Sequence, residues 1–387
     1  APTVDAGADR MAYEQRVVAL SPALFVDPGT GDTHVATVGW GDGTSSSGAI
    51  DAGAGTVAAS HVYGQPGHYT VTVTVTDDEG AAGADAFALD VLPGAFRACL
   101  SASKASDRID LGAGAHVDCD VRGEGGVRLR ADAAVDGDVV ARSGAVALED
   151  DATVGGSVLA GGAVELDERA RVEGSVVSGA DVALGVEAYI AGDLTAAGVL
   201  DLAAGAAVGG AVGEGATVAP IPGVTALSVA VEAGGDDVTV QKGESLVLGP
   251  GTYRKVKVKQ DAFLTLTAGH FVLERLDLAK DSVLNLALDG GTLVLDVAKQ
   301  IDLGEGATMT LAGGTAADVL VRSAGNSVKL GAGGTFYGTI VAPDADIELH
   351  AGASLTGALH GRGVSLQPDS HLTAAAALAL LFEWFVP

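Results

Sequence analysis

The residues best suited to chemistry are five aspartates near the N-terminus, Asp27, Asp32, Asp42, Asp77 and Asp78. Their carboxylates are hard oxygen donors of the kind Ca2+ prefers. Aspartate also forms turns by accepting bonds from nearby backbone amides, so a calcium site and a set of turn formers both fit. Cysteine occurs at only two positions, Cys99 and Cys119. A disulfide between them needs Cα atoms about 4.4 to 6.8 Å apart, and it implies an oxidising compartment. In Arg254-Lys255-Val256-Lys257-Val258-Lys259 cations flank and alternate with valines. That run is either a solvated strand face or a basic strip offered to an acidic neighbour. The eight histidines are scattered, and although His350 and His360 fall on successive repeats, no His-x-x-x-His or Cys/His spacing marks a metal site. Nucleophile-elbow and phosphate-loop patterns are missing from the sequence. Polysaccharide hydrolysis needs two carboxylates about 5 to 9.5 Å apart, and nothing in the spacing selects such a pair.

The elements that carry these residues are set by a repeat. Apolar-x-apolar pairs begin at Ile109, Val127, Val146, Val164, Val182 and Leu200, a near-constant period of about 18 residues that marks a solenoid. A second apolar anchor recurs as Val117, Val135, Val154, Val172, Ile190 and Val208, with a glycine shortly after it at Gly137, Gly156, Gly174, Gly192 and Gly210. A helix pair needs about 33 residues or more per repeat. Three short strands per coil fit instead, because alternation has period two and glycine-rich corners separate the runs. The expectation is a parallel β-helix whose coils lie about 4.8 Å apart. The cysteine spacing is close to one coil, so the two thiols stack on neighbouring levels if Cys99 lies in the entry turn above the first coil; two separately buried thiols are the alternative.

Composition agrees. The 387 residues are 48% apolar but only 4% aromatic, with 57 glycines, as a thin core with tight corners requires. A net charge of −28 excludes nucleic acid as a natural partner, since phosphate binding needs clustered cations. Ten of the 22 cations nevertheless lie between Lys242 and Lys329. No stretch reaches the roughly 18 to 20 apolar residues of a membrane span. Ala1-Pro2-Thr3 reads as the end left by signal-peptide cleavage, so the expected location is extracellular or cell-surface.

Residues 1–93 follow a different pattern, with longer strands at Val17–Leu20, Thr33–Trp40, Tyr69–Val75 and Ala84–Leu92. Strict alternation of Tyr69, Val71, Val73 and Val75 with threonines gives a strand with one dry face, and such strands form a small β-sandwich. The motifs Trp40-Gly41-Asp42-Gly43-Thr44, His61-Val62-Tyr63 and Pro66-Gly67-His68-Tyr69-Thr70-Val71-Thr72-Val73-Thr74-Val75 closely resemble the PKD (polycystic kidney disease) domain. The resemblance implies an immunoglobulin-like sandwich on an exported protein, used as a spacer, adhesion module or substrate-binding accessory, with Ca2+ near the motif loops in some members.

The regular β-helix is expected over 94–219, and a less regular one over 220–373 after the break at Pro220-Ile221-Pro222. In the second part the apolar-x-apolar pairs start at Val256, Leu276, Ile301, Val328, Ile347 and Val364, at uneven steps that imply larger coils or surface loops. Gly249-Pro250-Gly251-Thr252-Tyr253 and Phe336-Tyr337-Gly338-Thr339-Ile340-Val341 resemble β-helical domains of bacterial cell-surface and pilus-associated proteins. The regular coils resemble bactofilins, which polymerise end to end. Neither likeness implies catalysis.

Residues 374–387 form an apolar, helix-favouring tail in which Leu378, Leu381, Phe382, Trp384 and Phe385 are too sticky for water. An open solenoid must protect its end coils. The tail therefore either caps the last coil or docks in a neighbouring subunit, while the N-terminal domain protects the first. The functional expectation is an exported, non-enzymatic structural protein that self-assembles into a filament, surface layer or matrix fibre. The alternative is a surface adhesin or a β-helix that binds or cleaves cell-surface polysaccharide.

Overall fold

The computed structural model describes all residues except 14–16, 21–22, 30, 66, 93–97, 222–226 and 376–387. The described residues are all-β, apart from a single 3-10 turn at Ala316–Asp318. They form two compact units that meet in sequence within 93–97. The apolar tail, including Leu378, Leu381, Phe382, Trp384 and Phe385, lies outside the described residues.

In the first unit, Thr3–Asp5, Ala23–Val26, Thr56–Ala58 and the end of Ser45–Asp51 form one antiparallel sheet. The start of Ser45–Asp51 pairs instead with His34–Gly39, which continues through Gly67–Asp77 to Ala82–Leu92. Arg10–Tyr13 adds a parallel edge to that second sheet. Val71, Val73 and Val75 are fully buried while the threonines between them are half-buried, as alternation requires. Trp40 and Tyr63 complete the core, and the Tyr63 hydroxyl donates to the Trp40 carbonyl at 2.8 Å. That bond satisfies a phenol that would otherwise be costly to bury.

The second unit is a parallel β-solenoid. Each regular coil has three short strands, as in Val164–Leu166, Arg171–Val172 and Val176–Ser178. Each pairs in register with its equivalent one coil on: Val164 with Val182, Val172 with Ile190, Val176 with Leu194. The side chains between coils form ladders of buried Val, Leu and Ile. The glycine column has a steric cause, since a Cβ on Gly174 would lie 2.6 Å from the Gly156 carbonyl carbon. We call the three sides face A (the apolar-x-apolar strands), face B (the next strand) and face C (the third). Corners from A to B hold left-handed residues, among them Asp261, Asp281 and Asp369 at φ 57. Aspartate tolerates that region through local hydrogen bonding.

Stacking order differs from chain order. The last coil does not end the stack: Leu100 pairs with Leu359, Ile109 with Val364, and Val117 with Leu372. The first regular coil is thus sandwiched between the last irregular coil and the second regular one. From this central joint the chain winds outward to Leu200–Gly213 at one end. It reappears at Val238–Val240 at the other end and winds back to the joint. The return between Gly213 and Val238 takes roughly 24 residues, which reach about 80 Å when extended. A dozen coil steps of about 4.8 Å need less. The expectation that the first and last coils are the exposed ends is therefore corrected. Parallel pairing depends on strand register, which chain order does not set.

Candidate surface-binding face

Face B of the irregular half is built from Ser245–Leu248, Phe263–Thr267, Val283–Ala287 and Thr308–Ala312 in unbroken one-to-one register. Strand starts at Thr335, Ser354 and His371 extend the same side toward the joint. Inward positions such as Leu264, Leu266, Leu284 and Leu286 are buried. Period-two alternation therefore fixes what points out. One outward column reads Val247, Thr265, Asn285 and Thr310; nearer the joint, Tyr337, Thr356 and Thr373 stand in register on strands of their own. Its neighbour reads Ser245, Phe263, Val283 and Thr308, and Thr335, Ser354 and His371 stand in register nearer the joint. Neither column contains an Asp, Glu, Lys or Arg, although such residues make up 19% of the chain.

The polar groups of this face are held by one another. Thr310 Oγ1 donates to Asn285 Oδ1 at 3.0 Å, Asn285 Nδ2 to Thr265 Oγ1 at 3.5 Å, and Ser354 Oγ to Thr335 Oγ1 at 3.4 Å. The result is a grid spaced about 4.8 Å between coils and about 6.7 Å along each strand. Two water hydrogen bonds of about 2.75 Å meeting at the tetrahedral angle place second-neighbour waters about 4.5 Å apart. The coil spacing falls within about 0.3 Å of that distance.

Face A is different in kind. A lateral groove of about 610 Å³ there is lined by Asp107, Arg108, Arg128, Glu149, Glu165 and Asp167, among others. Arg128 Nε donates to Glu149 Oε1 at 2.7 Å, so that carboxylate is engaged. Burial, with the charges of Glu165, Asp150 and Glu149, pushes the Asp167 carboxyl above its ordinary range. Carboxylates and cations converge in this groove. The repeat of about 18 residues is the signal that could have found it: Arg128 and Glu165 stand in the middle of their apolar-x-apolar pairs, and Glu149 and Asp167 directly after theirs.

The structure divides the aspartates nominated from sequence. Asp27, Asp32 and Asp77 come together, with ligand oxygens all within 4.8 Å of one another. The Asp27 and Asp77 side chains are only 3% exposed. A hydrogen bond with His34, whose Nε2 lies 2.9 Å from Asp27 Oδ2, holds the Asp27 carboxyl below its ordinary range, helped by the Gly29 amide. Ala81 N–H donates to Asp77 Oδ1 at 2.7 Å. Three converging carboxylates fit a hard cation. Asp42 is a turn former instead. Burial alone would push its carboxyl up, but bonds from the Thr44 hydroxyl, His61 and the Thr44 amide hold it at about 2. Asp78 is exposed and stands outside the cluster.

Cys99 and Cys119 form a disulfide with Cα atoms 6.0 Å apart, beside the central joint. Arg254 forms a bidentate pair with Asp237, at 2.8 Å for both bonds, and Lys257 stands opposite Asp277. Lys255 and Lys257 are exposed, and Lys259 continues the same edge of face A. Arg254 and Lys257 thus face acids, whereas Lys255 stands opposite Arg275, so the strip is mixed in charge. His350 and His360 are not brought together: His350 Nε2 lies 3.4 Å from Glu348 at the end of face A, whereas His360 is buried on face C against Ser101.

Residues 1–91 match the family model of the PKD domain. No curated protein matches the chain. Among solved structures, an ice-binding protein (LeIBP) from Arctic yeast is similar at 22% identity and a TM-score of 0.24, over 37% of this chain and 52% of that one. The chain therefore spans about half the length of that protein. An ice-binding protein from an Antarctic bacterium, Flavobacteriaceae, is similar at 14% identity and a TM-score of 0.25, over 72% of this chain and 82% of that one. The PKD match and the β-helix fit an extracellular structural or surface protein. Among the described residues, no helix is long and apolar enough to cross a membrane.

Proposed function

We propose that this chain is a non-enzymatic extracellular surface protein whose β-helix binds ordered water at an ice face through face B. The observation that carries this reading is the uncharged, mutually hydrogen-bonded column Thr265, Asn285 and Thr310 on an in-register sheet. A charged face would hold its own hydration shell, whereas hydroxyls and methyls on a regular grid accept a lattice of waters with little reordering. The test is thermal hysteresis and ice-recrystallisation inhibition by the full chain. Thr310→Lys with Asn285→Lys should abolish most of the effect, while Glu165→Lys on face A should leave it intact. A wild-type protein that neither shapes ice nor slows recrystallisation would contradict the proposal.

A second reading, self-assembly into a filament or surface layer, is favoured by the exposure of ladder residues at both ends of the stack: Leu202 at 47% and Val212 at 52% at one end, Leu246 at 37% at the other. Adhesion to polysaccharide would use the lateral groove of face A. The engagement of Glu149 by Arg128 favours binding there over cleavage. In the sandwich unit, Asp27, Asp32 and Asp77 would hold Ca2+, which would tie together its loops and supply no chemistry.

A further inference from the structure

The two open ends of the β-solenoid match each other. At one end lies the coil of Leu200–Leu202, Ala207–Val208 and Val212–Gly213. Its inward residues continue the buried ladders of Val182, Leu184 and Ile190, yet Leu202 and Val212 are about half exposed. At the other end lies the coil of Val238–Val240 and Ser245–Leu248, where Leu246 is exposed and Leu248 half-buried.

Backbone groups at these ends are complementary. One coil below the first end, Leu184, Ala188 and Ile190 carbonyls accept from Ala203, Ala207 and Gly209 at 2.8 to 3.0 Å. The corresponding carbonyls of the end coil belong to Leu202, Ala206 and Val208. One coil above the second end, Lys259 and Phe263 amides donate to Val240 and Glu244 carbonyls at 3.0 and 2.8 Å. The corresponding amides of that end coil belong to Gln241, which meets the Glu244 carboxylate at 3.3 Å, and Ser245. Acceptors at one end therefore stand where donors stand at the other.

Perimeter matches too. The step from Val238 to its upper neighbour Val256 equals that from Val182 to Leu200 at the opposite end. Larger coils, such as the one from Leu276 to Ile301, lie inside the stack. The central joint shows that such docking needs no chain continuity, because Ile109 and Val364 pair in register from distant parts of the sequence.

We propose that the Leu200–Gly213 end docks on the Val238–Leu248 end of a second copy, head to tail, continuing the parallel stack. This rests on the self-assembly reading and names its contact. A heterologous contact of this kind does not close on itself and propagates. The net charge of −28 opposes it at low ionic strength, so salt promotes it.

The test uses two variants of the full chain, Leu202→Asp with Val212→Asp at one end and Leu246→Asp with Leu248→Asp at the other. Sedimentation velocity in high salt should show the wild type elongating with concentration and each variant monomeric alone. An equimolar mixture of the two variants should give a dimer and nothing longer, since one open end of each kind remains. Unchanged far-UV circular dichroism and melting temperature confirm that the variants fold. A variant that dimerises alone, or variants that assemble like the wild type, would overturn the head-to-tail contact while leaving self-assembly in place. A wild type that stays monomeric at every salt concentration would overturn both.

Discussion

His360 shows how one residue ties the two halves of the solenoid together. It is buried in the last irregular coil, with Nδ1 2.8 Å from the Ser101 hydroxyl of the first regular coil. Burial depresses its imidazole from 6.5 to about 3. The folded state therefore holds the neutral ring, so its contribution is fully present above about pH 6.5 and is lost as pH falls toward 3. Melting temperature should drop more steeply between pH 6.5 and about 4 in the wild type than in His360→Gln; parallel curves would remove this role. The nearby disulfide closes a short loop beside the same joint, and bridges of that size stabilise by about 3 kcal/mol. Reductant, or Cys99→Ser with Cys119→Ser, should lower the melting temperature of the β-helix transition. In the sandwich unit, Ca2+ should raise the melting temperature in the wild type and not in Asp77→Asn. An equal response in both would return Asp27, Asp32 and Asp77 to the role of turn formers. The sequence nominates five aspartates and cannot divide them, because three-way convergence depends on which loops the two sheets bring together.

At the scale of the element, the regular coil is legible almost residue by residue. Its buried anchors and glycine column both follow from local rules: alternate residues point inward, and coil corners approach too closely for a Cβ. Face B is not legible as a site. Thr265, Asn285 and Thr310 are unevenly spaced along the chain, and only the uneven coil lengths of the irregular half bring them into one column. The available signal is the lack of charge at outward positions of strands in an acidic chain. The open end makes a prediction about packing. Leu166 is 1% exposed in the middle of the stack, so Leu166→Ala should cost about 2 to 5 kcal/mol. Leu202, in the same ladder but 47% exposed, should cost a small fraction of that in Leu202→Ala when the protein is monomeric. Equal losses in chemical denaturation would mean that the end coil is covered in solution.

At the scale of the whole solenoid, the order of the coils separates what sequence can and cannot tell. Apolar-x-apolar periodicity says that coils stack, but Ile109 carries the same pattern toward Val364 as toward Val127. Chain order is the natural assumption, and the register places the first and last coils together in the middle. The strand His371–Ala374, which precedes residues 376–387, consequently lies at the joint rather than at an end, and the assembly surface proposed from the stack is the pair of coils Leu200–Gly213 and Val238–Leu248. In an extracellular setting, an uncharged hydroxyl face and a separate charged groove would make the β-helix a scaffold for recognising an extended surface. The most direct measurement is thermal hysteresis of the purified full chain beside its Thr310→Lys, Asn285→Lys variant, with circular dichroism confirming that both are folded. A freezing-point gap present in the wild type and lost in the variant is the expected result. No gap in the wild type, or the same gap in both, would contradict face B as the binding surface.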